Sequence, residues 1–201
     1  KYLSAELSFF QITWARYFFT VFLIFSFMFI FFRKNLTLSE NPKLQFLRGL
    51  TLFSANICFF YSISIISMAK ALTLAFVAPL VTTALSPILL CEIVGIKRWS
   101  AVIVGFIGSL VVIRPGFIEF NLATFAALGT GCLYGVYLII TRKLHSTDNP
   151  LLTLLLTGIV GATVSTFFVP IVWVNPSNTQ WLWLAIMGIF ACLGHILLIY
   201  S

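Results

Sequence analysis

The chain has 201 residues, of which 61% are hydrophobic and only 8% charged. A soluble domain carries about 25% charged residues, so this chain could not cover a water-facing surface and has the balance of a protein solvated mostly by lipid. Its formal net charge of +7 falls in short gaps between apolar runs, which fits positive cytoplasmic loops and argues against nucleic-acid binding.

Seven apolar segments follow one another, at about 10–32, 44–66, 71–91, 98–113, 121–141, 151–174 and 181–201. Most are near the length a helix needs to cross hydrocarbon, and the tight connections leave no room for a soluble domain. The fold class expected is all-α, a polytopic helical membrane protein. The first segment holds Arg16, which a membrane tolerates near its surface or facing a wet interior, as an interface or gate residue. The aromatic run "FFTVFLIFSFMFIFF" after it reads as lipid-facing bulk.

The third segment, "ALTLAFVAPLVTTALSPILLCE" (71–92), keeps two prolines, Pro79 and Pro87. Each frees a carbonyl four residues back and kinks the helix. A membrane accepts this where neighbours, hydroxyls or water meet the freed group. Thr82, Thr83 and Ser86 stand nearby, and Ala71, Ala75, Ala78, Thr82 and Ser86 form a stripe of small residues that permits close helix contact. Pro79, Thr82 and Thr83 are therefore candidate cavity-lining residues on a moving wall, the alternative being a static kink. Glu92 closes the segment ahead of Lys97 and Arg98, either as a surface ion pair or as a cytoplasmic gate. The fourth segment is short, with Trp99 at one end and Arg114-Pro115-Gly116 stopping it at the other.

In the fifth segment Thr130, Tyr134, Tyr137 and Thr141 share one helical face, where hydroxyls and rings suit a polar organic substrate. Beside them Ala127, Gly131 and Gly135 form a second small-residue stripe, which could pack within one chain or between two copies in a homodimer. In the seventh segment His195 is an ionisable residue inside an apolar run, a functional candidate by default that could carry a proton or sit as a neutral imidazole bonded to another helix. Asn56 and Tyr61, in the second segment, complete the candidates.

Orientation follows the basic residues. If the first segment ends in the cytoplasm, the loops on that side hold Arg33, Lys34, Lys43, Arg48, Lys97, Arg98, Arg142 and Lys143, and the other side holds Lys1, Arg16, Lys70 and Arg114, eight against four. The four cysteines, Cys58, Cys91, Cys132 and Cys192, lie far apart with no C-x-x-C spacing, so they read as buried small apolar residues. Of the five acids, Glu6, Glu40, Glu119 and Asp148 fall in loops, and there are no paired carboxylates, no H-E-x-x-H and no Walker A sequence. An enzyme is not expected, nor a metal, a cofactor or ATP coupling.

A repeat runs through the chain. "GLTLFSANICFFYS" (49–62) lies on "GIFACLGHILLIYS" (188–201), setting Gly49 on Gly188 and Asn56 on His195, while "SFFQIT" (8–13) resembles "NPLLTL" (149–154) at a similar offset. The matched segments are five crossings apart, and an odd number inverts the second unit relative to the first, a design of many transporters with a midplane site. On this count both ends are expected to be cut from a protein of about ten crossings.

Residues 71–116 then resemble a known family. Ala-Pro in mid-helix, a glutamate closing that helix and a glycine-rich next helix ending in Arg-Pro-Gly resemble the EamA domain of the drug/metabolite transporter superfamily. Arg16 after "FFQITWA" matches that family's early arginine. "KYLS…FFQITWARYFF" and "FLRGLTLF" are similar to its S-adenosylmethionine uptake carriers of intracellular bacteria. The resemblance implies inverted five-helix repeats in an inner-membrane carrier with cytoplasmic termini. Residues 1–116 would be the first repeat lacking its first helix, and 117–201 the second lacking its last two. The expected function is alternating-access transport of a small polar metabolite such as S-adenosylmethionine or an amino acid. A channel, a lipid-moving protein and, more remotely, a membrane-embedded enzyme are the alternatives.

Overall fold

The computed structural model describes residues 3–31, 39–113, 121–145 and 147–200. Lys1, Arg33, Lys34, Arg114-Pro115-Gly116 and Glu119 lie outside them. The described residues form helices α1 (Leu3–Glu6), α2 (Phe9–Phe31), α3 (Pro42–Ile65), α4 (Met68–Ala75), α5 (Ala78–Leu89), α6 (Ile96–Ile113), α7 (Leu122–Leu144), α8 (Pro150–Phe168) and α9 (Asn178–Tyr200), with a 3-10 turn at Val169–Val172, and no strand among them. Among the described residues, six spans are long and apolar enough to cross a membrane: α2, α3, α4 with α5, α7, α8 with its 3-10 turn, and α9. The protein is a multi-pass helical membrane protein.

The helix starts are written locally. Asn149 accepts from Leu151 N and Pro150 opens α8, where a missing N–H costs nothing. Asn121 Oδ1 accepts from Thr124 N (3.0 Å) at the start of α7. Ser177 and Gln180 form a reciprocal capping box for α9, Ser177 N donating to Gln180 Oε1 (2.8 Å) and Gln180 N to Ser177 Oγ (3.3 Å).

Two compact units emerge, one from 54–140 and one from 2–53 with 141–201, so that α3 and α7 each contribute to both. In the second unit α2 and α8 run antiparallel. Phe10 stacks on Phe168, Trp14 Nε1 donates to Thr166 Oγ1 (3.1 Å), Tyr17 lies on Gly161 and Val21 on Gly158. A Cβ at Gly161 or Gly158 would stand 2.6 Å from those side chains, so the glycines set the distance of approach. Ile24, Met28, Leu151, Leu154, Leu155 and Cys192 close the core of this unit. Lipid tails are as apolar as these side chains, so this core gains from dispersion and fit rather than from leaving water. The phenylalanines of the aromatic run in α2 largely face outward as expected, Phe22 being 61% and Phe25 57% exposed, whereas Thr20, Ile24 and Met28 of the same run turn inward.

In the first unit the third segment is broken rather than kinked. α4 ends at Ala75, Phe76 and Val77 turn, and Pro79 sits in the first turn of α5. Ala75 is the residue whose carbonyl Pro79 frees. That carbonyl lies against Gly131 of α7, where a Cβ would meet the oxygen at 2.7 Å, and the Ala78 carbonyl lies likewise against Gly135 at 2.9 Å. The small-residue stripe of α7 thus receives the broken backbone of α4 and α5 within one chain. α5 ends where Cys91 adopts a positive φ of 55°, the left-handed position usually taken by glycine. Cys91 and Cys132 are exposed, so the expectation of four buried cysteines holds for Cys192 and not for these two. A thiol is a small apolar group, and lipid is a tolerable neighbour for it.

Gly131→Leu is expected to destabilise the protein by about 1–3 kcal/mol through overpacking against backbone that cannot yield. Gly105→Ala and Gly108→Ala meet nothing within 4 Å and are expected to leave the thermal midpoint in detergent unchanged or slightly raised.

Candidate functional site

Hydroxyls within the spans donate to their own helices. Thr82 Oγ1 donates to Ala78 O (2.9 Å), Thr130 Oγ1 to Ala126 O (3.0 Å) and Thr157 Oγ1 to Thr153 O (2.8 Å). With the proton directed at the backbone, each oxygen offers the interior an acceptor. Thr82 and Thr130 also reach other helices, Thr82 towards Gly135 O (3.3 Å) and Thr130 towards Ala55 O (3.4 Å). They tie α5 and α3 to α7.

The inward face of α7 holds the expected stripe. Thr130 and Thr141 are buried, Tyr137 is wholly buried, and half-buried Tyr134 stacks on Tyr137 with centroids 5.4 Å apart. Asn56 and Tyr61 are half-buried on α3, and Thr83 is buried on α5. Pro79 is exposed and lines an apolar cleft of about 570 Å³ with Thr73, Phe76, Ala101, Val102 and Gly105. Thr82 and Thr83 do not line that cleft. The three residues proposed for one cavity wall therefore divide along α5: Pro79 faces a lipid-like groove, Thr82 reaches α7 and Thr83 is buried. Glu92 pairs with Arg98 at 3.9 Å across half-exposed side chains, a contact worth little at a surface.

In the second unit Arg16 Nη2 donates to His195 Nε2 (3.0 Å), and the guanidinium lies 5.9 Å from the Tyr17 ring centroid. A guanidinium only donates, so this nitrogen of His195 accepts and the ring proton belongs on Nδ1. His195 is 8% exposed. The imidazole is thus bonded to another helix, through Arg16 of α2.

Reading loops from charge missed a second arginine. Arg48 lies in α3, not in a loop, and is fully buried. Its Nε donates to Thr141 Oγ1 (2.8 Å), and its Nη1 to Thr153 O (3.0 Å) and to Thr157 Oγ1. One turn earlier Gln45 Nε2 donates to Asp148 Oδ2 (2.6 Å) and Thr153 Oγ1 (3.0 Å). Asp148 also accepts from Ser39 Oγ and from Glu40 N (3.1 Å). It is buried, although it falls in the connection between α7 and α8. Burial pushes its carboxyl upward, but the bonds from Ser39, Gln45 and Glu40 outweigh that and hold it below the usual carboxylate range. The signal for Arg48 was available in "FLRGLTLF": a charge flanked by leucine and glycine inside an apolar run. Nothing local marked Asp148. Among the described residues, no three His, Cys, Asp or Glu side chains gather to hold a metal ion.

Residues 1–114 match the EamA-like transporter family. The chain belongs to this family. As an EamA-like protein it is similar to an S-adenosylmethionine uptake transporter of Rickettsia prowazekii (strain Madrid E), at 29% identity over 94% of this chain and 64% of the relative. A protein of the same name from Rickettsia conorii (strain ATCC VR-613 / Malish 7) is 28% identical over the whole chain and 67% of the relative. A riboflavin transporter of Vibrio cholerae is 35% identical over 40% of this chain and 27% of the relative. The chain spans about two thirds of the length of the Rickettsia relatives. These proteins are named as transporters and not as enzymes, and with six apolar spans the EamA-like chain is a multi-pass protein of a bacterial inner membrane.

Arg48→Lys keeps the charge but loses the fork that reaches Thr141, Thr153 and Thr157 together. It is expected to cost about 2 kcal/mol, read as a lowered unfolding midpoint in detergent. Because the Asp148 carboxyl is held low in the folded state, its stabilisation is present above the ordinary carboxylate pKa and is lost as pH falls through the lower folded value. Acid melting curves of the wild type should therefore show a loss below the ordinary carboxylate range that Asp148→Asn lacks.

Proposed function

We propose that the complete protein is a secondary carrier that moves a small polar metabolite by alternating access between two inverted repeats, the first ending near residue 116. The observation that carries this reading is a pair of exchanged contacts. A Cβ on Gly49 of α3 would stand 2.6 Å from the Val160 Cβ of α8, and one on Gly188 of α9 would stand 2.5 Å from the Phe19 Cβ of α2. Sliding "SFFQIT" onto "NPLLTL" carries Phe19 onto Val160, and the second alignment carries Gly49 onto Gly188. Each half thus places the same glycine against the same position of the other half, as an inverted repeat requires.

The substrate class we favour is a flat heteroaromatic metabolite with donor groups, S-adenosylmethionine first. The relatives are named for S-adenosylmethionine and riboflavin, both of which carry planar ring systems. Half-buried Tyr134, backed by Tyr137, supplies a ring on which such a group stacks. Threonine oxygens whose protons already point at the backbone accept from an ammonium or amide.

Counterflow in proteoliposomes of the complete protein, preloaded with S-adenosylmethionine, riboflavin, nucleosides or amino acids, tests this. Saturable exchange of S-adenosylmethionine is expected, with Tyr134→Leu raising KM about five- to tenfold and Tyr134→Phe leaving it near wild type. Exchange of amino acids alone would remove the stacking assignment. Flux that never saturates would replace the carrier with a channel.

A further inference from the structure

We propose that Asp148, Gln45 and Arg48 form a latch that closes the start of α3 against the start of α8, and that releasing it lets water and substrate between these helices from that side of the membrane. The idea rests on the carrier reading and adds to it the contact that must break.

α3 and α8 run in the same direction. Gln45 meets Thr153, Arg48 meets Thr157, and Gly49, the next residue of α3, meets Val160. Both helices begin at the end where Lys43, Arg142 and Lys143 collect, the cytoplasmic end by charge. The bridge is made largely by side chains. Ser39 Oγ and Gln45 Nε2 donate to Asp148, and Arg48 donates to two threonine hydroxyls and a carbonyl. These acceptors are neutral for Arg48, and water replaces such bonds at little loss once it enters.

The closed state also carries a defect. Gln45 Oε1 is buried with no hydrogen-bond partner. Exchanging the amide's oxygen and nitrogen would not mend this, because it would set the carbonyl oxygen against the Asp148 carboxylate. An opening that admits water satisfies that oxygen. A contact that gains bonds when shut and loses a defect when open has the near balance a two-state element needs. Beneath it, the tight seat of Gly49 on Val160 excludes water while the latch is shut.

Val160→Cys in the full-length carrier, with its native cysteines replaced, reports on the opening. An impermeant maleimide is applied from either face of oriented vesicles. Asp148→Asn is expected to raise the labelling rate about tenfold from the face where α3 and α8 begin, and not from the other. Adding Gln45→Glu to Asp148→Asn swaps the amide and the carboxylate between the two positions. That restores the donor–acceptor pair in the exchanged sense and should return the rate towards wild type. An unchanged rate, or an equal rise from both faces, would overturn the latch in favour of a static tie. Should Asp148→Asn not fold, Ser39→Ala removes one donor, and a smaller rise with the same sidedness is required of it. Labelling needs no substrate. Failure here therefore falls on the latch alone, and absence of counterflow falls on the carrier reading alone.

Discussion

A polar group in hydrocarbon has no water to bond, and this constraint shapes every part of the molecule. It makes the chain helical wherever it crosses, and it makes hydroxyls turn back on their own helices, as Thr13, Thr20, Thr73, Ser86 and Ser165 also do. It governs the one break inside a span among the described residues. Pro79 leaves the Ala75 carbonyl without its helical donor, and the fold covers that oxygen with Gly131, the residue that lets another helix's backbone come closest. The proline and the glycine belong to one device, although they stand far apart in the chain.

The same constraint decides where charge is admitted. Arg16 and Arg48 lie inside spans, and both are met within the second unit. Arg16 is met by His195 and the Tyr17 ring, and Arg48 by threonines drawn from α7 and α8. Such polar clusters are costly unless satisfied and are characteristic of transport pathways. They also link distant parts of the chain, since Arg48 holds the end of α7 and the first two turns of α8 at once. In a carrier, the groups that make the interior habitable for a polar solute are the ones that can fasten it shut.

Close approach is the second theme. Gly49, Gly131, Gly135, Gly158, Gly161 and Gly188 all sit where a Cβ would collide with a neighbour, whereas Gly105 and Gly108 face open space. The first group defines the helix contacts, and the exchange of partners between Gly49 and Gly188 supports reading the two halves as inverted copies.

The order of residues was enough to show that the chain crosses a membrane many times, where the helices lie and which family the chain resembles, because segment length, apolarity and capping residues act locally. The start of α9 at Asn178 lies ahead of the apolar run read at 181, because the Ser177–Gln180 box rather than apolarity sets it. Which face of each helix turns inward was only partly legible. In water, amphipathic periodicity marks the buried face, but here lipid and interior are both apolar and the pattern fades. The stripe from Thr130 to Thr141 could be read because its members are polar. It took the folded chain to make Arg48 interior rather than a loop charge, to bury Asp148 in a connection, to bring His195 to Arg16, and to part Pro79 from Thr82 and Thr83. Each of those outcomes depends on groups brought together from distant positions, and in a medium without water it is the partner that determines whether a polar side chain can stay.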